Sequence, residues 1–251
     1  MLSLGRLDKA VDIGRVRGTR LRVQLSAALL PVMAIAAGLA PSASGTQNLA
    51  FMTSFVLLLY VCALAHELGH IFPATRFGAK VTQVRLSWAG IFVRVEWGAR
   101  SNPTHDLIVA LSGPLVSAFC TLLLGCAAWF IAGDQPLLSM VAGLASRDRL
   151  GLLTLLAITN GLLTLFNLIP LFPMDGGMAV RAALAHYVPA PQATHVVSTF
   201  GQVMAMVIAL AVFALTGSWL LRGAGVAIAG MLFSVSLGAV RRLAQEPVVS
   251  S

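Results

Sequence analysis

The chain has 251 residues, 58% of them hydrophobic and only 10% charged, and its mean hydropathy is +0.87. Soluble domains carry about 25% charged residues, so this composition excludes a cytosolic enzyme, a disordered chain and a disulfide-stapled secreted domain, and it points to an integral membrane protein. The net charge is +8, from 17 Lys+Arg against 9 Asp+Glu, but the basic residues sit between apolar runs. There is no basic stripe with interleaved aromatics, which argues against a nucleic-acid partner and makes these residues topology signals.

In chain order, residues 1–22 form a basic segment. No charged residue then occurs from Val23 to Ala65, too long a stretch for one helix, since a span takes about 20 residues. The turn formers from Pro41 to Asn48 divide it into span 1, 23–41, and span 2, 49–72. A rival reading makes 1–44 a signal peptide, but the apolar run exceeds the usual ~7–15 residues, so cleavage is not expected.

The period then changes. Val84, Leu86 and Trp88 alternate with Arg85 and Ser87, and after Ala89-Gly90 the residues Ile91, Val93, Val95 and Trp97 alternate with Phe92, Arg94 and Glu96. Period 2 on both sides of a glycine turn predicts a β-hairpin over 79–98. Its Trp residues and apolar face suit the membrane interface. Spans 3 to 6 follow at 106–132, 150–169, 198–216 and 223–240, leaving a short tail, 241–251. The expected fold is therefore an all-α polytopic membrane protein of about six transmembrane helices, with a membrane-associated β-hairpin after the second and a single embedded domain over 1–251. The three cysteines, Cys62, Cys120 and Cys126, fall inside apolar runs as small core residues and not as a disulfide framework.

Placing both termini in the cytoplasm puts 14 of the 17 basic residues inside and only Arg147, Arg149 and Arg222 outside. That split agrees with the positive-inside rule, and a bacterial inner membrane is the expected location.

Span 2 ends in His66-Glu67-Leu68-Gly69-His70. Histidines at i and i+4 lie about 40° apart around a helix and about 6 Å apart along it, so both imidazoles can reach one metal ion. Glu67 stands beside them, able to take a proton from a water. Such residues are costly inside a membrane, which makes a merely structural role a poor explanation. Cys62, four residues before His66 on the same face, lines this region without counting as a ligand.

Catalytic zinc takes three protein ligands and keeps one position open. The candidate third ligand is Asp175, the only acidic residue between Asp148 and Glu246. His66 lies 18 residues beyond Asn48, and Leu168 lies 18 beyond Leu150. Both segments therefore reach a depth of about 27 Å in a core of about 30 Å. Pro170 and Pro173 break the helix there, which a membrane tolerates where backbone is buried in protein or lines a cavity. Among the remaining polar residues, His105-Asp106 suits an interfacial helix start. His186 and His195 suit a solvated loop, and Asn160, one heptad before Asn167, suits interhelical packing.

The His66–His70 motif in a span, followed by Asn167-Leu168-Ile169-Pro170-Leu171-Phe172-Pro173-Met174-Asp175-Gly176-Gly177, resembles the site-2 protease family of intramembrane zinc metalloproteases, over roughly residues 20–200. The resemblance implies one Zn²⁺ per chain on His66, His70 and Asp175, with Glu67 as general base and Asn167 near the metal or the substrate backbone. Ser112-Gly113-Pro114-Leu115 is similar to the family's Gly-Pro segment, but Ser117 stands where the family often has Asn. Neither the PDZ insert nor the C-terminal CBS pair of many relatives fits the short loops and tail.

The function expected from this resemblance is hydrolysis of peptide bonds in or near the membrane spans of regulatory proteins, such as single-span anti-sigma factors. The lipid bilayer is a partner, and a regulatory membrane protein or a homo-oligomer is left open. The alternatives are a membrane metal transporter and a non-catalytic pseudo-protease. A transporter wants ligands spread along a path, and a pseudo-protease has no need of Glu67.

Overall fold

The structure is a computed structural model. It describes residues 10–16, 19–38, 45–87, 90–96, 102–134, 136–215 and 217, with short pieces between 222 and 238. The chain divides into two compact units, Met1–Arg100 with Ser112–Thr164, and Ser101–Leu111 with Leu165–Ser251.

The first unit opens with strands β1 (Ala10–Val16) and β2 (Thr19–Gln24), a 3-10 turn over Leu25–Ala28, and helix α1 (Leu29–Gly38). Helix α2 (Gly45–Arg76) is followed by strands β3 (Lys80–Ser87) and β4 (Gly90–Glu96). Helix α3 (Pro103–Ala132), whose first nine residues belong to the second unit, precedes α4 (Pro136–Ser146) and α5 (Arg149–Asn167), whose last three residues do too. Both long helices start on side-chain caps. Asn102 Oδ1 accepts the Thr104 N–H at 2.9 Å, and Asp148 Oδ1 accepts the Gly151 N–H at 2.8 Å. Each satisfies a backbone donor that the first turn leaves without a partner.

The expected hairpin is half of a four-stranded sheet in the order β1-β2-β3-β4. Strand β2 pairs antiparallel with β1 and parallel with β3, Arg20 opposite Gln83 and Arg22 opposite Arg85. Thr19 Oγ1 donates to the Val81 carbonyl at 2.8 Å and pins that parallel pair. This corrects two expectations. Much of the basic segment 1–22 is strand, and the apolar run assigned to span 1 from residue 23 begins as the end of β2, so α1 starts only at Leu29. Leu21 and Val23 already alternate with Arg20 and Arg22, but the charge-free run that follows hides so short a period.

Among the described residues, four helical segments are long and apolar enough to cross a bilayer: Asn48–Arg76, Pro103–Ala132, Arg149–Asn167 and Ala190–Leu215. They correspond to expected spans 2 to 5. The fifth starts earlier than expected, so His195 lies on an exposed helix face and not in a loop. The loop expected between spans 3 and 4 contains α4. Nearly half of expected span 6, residues 39–44, Trp88, Trp97 and the tail 241–251 lie outside the described residues.

The second unit contains α6 (Asp175–Leu184) and α7 (Ala190–Leu215), which pack on each other. Its core joins Leu171 and Met174, from the irregular segment before α6, to Ala205 of α7 and to Ala229. Arg181 of α6 donates through Nε to Thr194 Oγ1 of α7 at 2.8 Å, and its Nη1 lies 3.7 Å from Asp106 Oδ2. One side chain thus ties α6 to α7 and to the first turn of α3.

Candidate metal centre

His66 and His70 lie one turn apart on α2, and the structure brings them together: Nε2 to Nε2 is 3.3 Å, with the rings 79° apart in plane. Two nitrogens each about 2.0–2.1 Å from a tetrahedral zinc ion stand about 3.3–3.4 Å apart. The histidine pair therefore fits the edge of a zinc coordination tetrahedron.

The opposing surface comes from α3. Gly113 faces His70, and Ser117, one turn later, faces His66. A Cβ built on Gly113 would run into the His70 imidazole, so only glycine leaves room for that ring. A Cβ on Gly69 would lie 2.8 Å from the Ser112 carbonyl oxygen and 3.0 Å from Gly113 Cα, so the two backbones meet closely at this level. Pro114 lies inside the helix and has no N–H, so the carbonyl one turn earlier loses its usual partner beside this contact.

Ser117 is 1% exposed and His66 5%. Ser117 Oγ lies 2.8 Å from His66 Nδ1. A metal-binding histidine usually donates its second ring N–H to an oxygen, which fixes the tautomer and directs the other nitrogen at the metal. When Nδ1–H is donated to the Ser117 hydroxyl, Nε2 keeps its lone pair and points toward His70. In the sequence Ser117 is only a departure from the Asn that the resembled family often has at this position. Its spacing from Gly113, four residues on the same helix face, was the available signal.

Glu67 follows His66 on α2 and is half-buried. Cys62, one turn before His66, is a half-buried free thiol. Asn160 is fully buried, but its Nδ2 donates to the Leu156 carbonyl of its own helix at 2.9 Å, not across to a neighbour.

Asp175 belongs to the second unit, where it is the first residue of α6 and half-buried. A carboxylate in a helix's first turn is favoured by the free N–H groups there. Residues 168–174 are irregular, as Pro170 and Pro173 require. They fold so tightly over that turn that a Cβ on Gly176 would strike the Leu168 carbonyl, and one on Gly177 would lie 2.5 Å from the Leu171 carbonyl carbon. The Gly176-Gly177 pair is thus what allows Asp175 to open a helix directly beneath the proline segment. Asn167 is the last residue of α5 and half-buried.

Residues 54–211 match the family model of peptidase family M50. The chain belongs to this family, the site-2 proteases. With its four apolar helices, this M50 member is a multi-pass integral membrane protein. A zinc metalloprotease of Methanocaldococcus jannaschii is 29% identical over 164 residues, 65% of this chain and 44% of its own length. A relative from Synechocystis is 36% identical over 126 residues, 50% of this chain and 30% of its own. The chain thus spans less than half the length of these curated relatives. The solved site-2 protease of Methanocaldococcus jannaschii shares the fold, with a TM-score of 0.55 over 97% of both chains at 23% identity.

Proposed function

We propose that this M50 member is a zinc metalloprotease that hydrolyses peptide bonds in or near the membrane spans of single-span regulatory proteins. The observation that carries this reading is the 3.3 Å separation of the His66 and His70 Nε2 atoms, the edge length of a zinc tetrahedron. In this reading His66, His70 and Asp175 are the three ligands, and the fourth position is left for water and substrate. The matched segment and the zinc metalloprotease relative support it.

Zinc, when bound, acidifies a water and polarises the scissile carbonyl. Glu67, next to His66 and without a ligand role, accepts the proton of the attacking water and delivers it to the leaving amine. Asn167 is proposed to hold the substrate backbone. The substrate segment must be extended, since a helix hides its carbonyls in i→i+4 hydrogen bonds. Strand β4, at one edge of the sheet order, offers a ladder on which such a segment can pair by strand addition. Both termini are placed in the cytoplasm on the 14-to-3 distribution of basic residues.

The deciding experiment is co-expression with candidate single-span substrates, comparing wild type with Glu67→Gln. Cleavage by wild type alone supports the reading, and equal cleavage by both refutes it.

A further inference from the structure

The register of the four-stranded sheet sorts its residues into a largely basic face and an apolar one. Strand pairing sets Arg15 opposite Arg20, Arg20 opposite Gln83 and Gln83 opposite Arg94 in one row. In the next, Asp12 faces Arg22, Arg22 faces Arg85, and Arg85 faces Phe92. Paired residues share a face, and so do residues two apart on a strand. Both rows, with the pair Lys80 and Glu96, therefore belong to one face, and its register positions hold six basic residues against the acidic pair Asp12 and Glu96. The rows between them belong to the other face. They run Val11, Val23, Leu86, Ile91 and then Gly14, Leu21, Val84, Val93.

The sheet is also held where the helices end. Only Phe77, Gly78 and Ala79 separate Arg76 of α2 from Lys80 of β3, and their backbone N–H groups all bond back to α2 carbonyls. At the other side Gln24 of β2 runs straight into the 3-10 turn and α1, and Tyr60 of α2 donates to the Ala27 carbonyl at 2.8 Å. A sheet tied so closely to an apolar span, with Val, Leu and Ile at the register positions of one face, suits a place along the membrane surface with that face toward the hydrocarbon. Its basic face is then at headgroup level, where guanidinium groups take phosphate oxygens in bidentate pairs. Arg15 and Arg20 are both exposed and stand opposite each other on β1 and β2. Arg22 is partly engaged, its Nε 3.9 Å from Asp12 Oδ2.

We infer that this face is a binding surface for anionic phospholipid headgroups, anchoring the sheet in the interface whether or not the chain is a protease. An acidic protein segment is the other anionic partner, but the apolar reverse face and the short tether to α2 favour the lipid.

The test uses the full chain in detergent micelles doped with phosphatidylglycerol or phosphatidylcholine, with bound lipid counted by native mass spectrometry. Each arginine at a membrane surface contributes about fivefold in affinity. The double variant Arg15→Gln, Arg20→Gln should therefore lose about 25-fold in phosphatidylglycerol affinity. The charge-matched control Arg147→Gln, Arg149→Gln should keep wild-type affinity. Unchanged thermal unfolding in phosphatidylcholine checks that the sheet remains folded in the double variant. Absence of a headgroup preference in wild type, an undiminished preference in the double variant, or equal loss in the control would overturn the proposal. So would an oligo-glutamate peptide that binds the same arginines in neutral lipid more tightly than phosphatidylglycerol does.

Discussion

His66 Nδ1 and Ser117 Oγ are 2.8 Å apart in a region where both residues are buried, so an α3 hydroxyl sets the orientation of an α2 imidazole. With zinc on His66, Ser117→Ala removes the oxygen that holds the ring and its tautomer. Zinc affinity, measured by chelator competition, should fall about 10–100-fold, the usual effect of losing such a partner. Ser117→Thr keeps the hydroxyl and should retain most of the affinity. Wild-type affinity in Ser117→Ala would show that packing alone orients the ring.

The role proposed for Glu67 separates binding from catalysis. Glu67→Gln keeps the size and both histidines, so zinc content and substrate association should persist while cleavage falls by ~10²–10⁴-fold. Asp175→Asn should behave differently: with Asp175 as the proposed third ligand, zinc occupancy should fall together with activity. Metal analysis beside a cleavage assay distinguishes the two patterns, and a transporter predicts neither.

Gly113 should tolerate no side chain. The Cβ of Gly113→Ala occupies the space of the His70 imidazole, so the ring must swing away or the helices must separate. Overpacking of this kind costs about 1–3 kcal/mol. The expected result is a lowered unfolding temperature and loss of zinc, whereas Gly125→Ala, with open space at its Cβ on the same helix, should leave both unchanged.

The proposed orientation rests on the distribution of basic residues and is open to direct measurement. Reporter fusions at Ser251 and within the 134–149 segment should report opposite sides of the membrane, with Ser251 cytoplasmic. Reports from the same side would overturn the proposed topology and the depth argument that rests on it.

What the sequence determined alone were the features carried by short-range pattern and by the cost of polarity in lipid. Membrane class, the extents of three of the four long helices, the His66-Glu67-x-x-His70 face and the proline break before Asp175 all follow from residues within a turn or two of one another. The hairpin was legible because its alternation is flanked by polar residues and a glycine turn. The tertiary structure decided what depends on distant parts of the chain meeting. Strand β2 needs β3, more than fifty residues later, before its six-residue alternation becomes a strand, and a charge-free run beside it imitates a helix. Ser117 and Gly113 acquire meaning only when α3 lies against α2, because a lone serine and a lone glycine in an apolar helix are common packing residues. The antiparallel approach of the two helices sets Gly113 against His70 and Ser117 against His66, and no local pattern in either helix specifies that register.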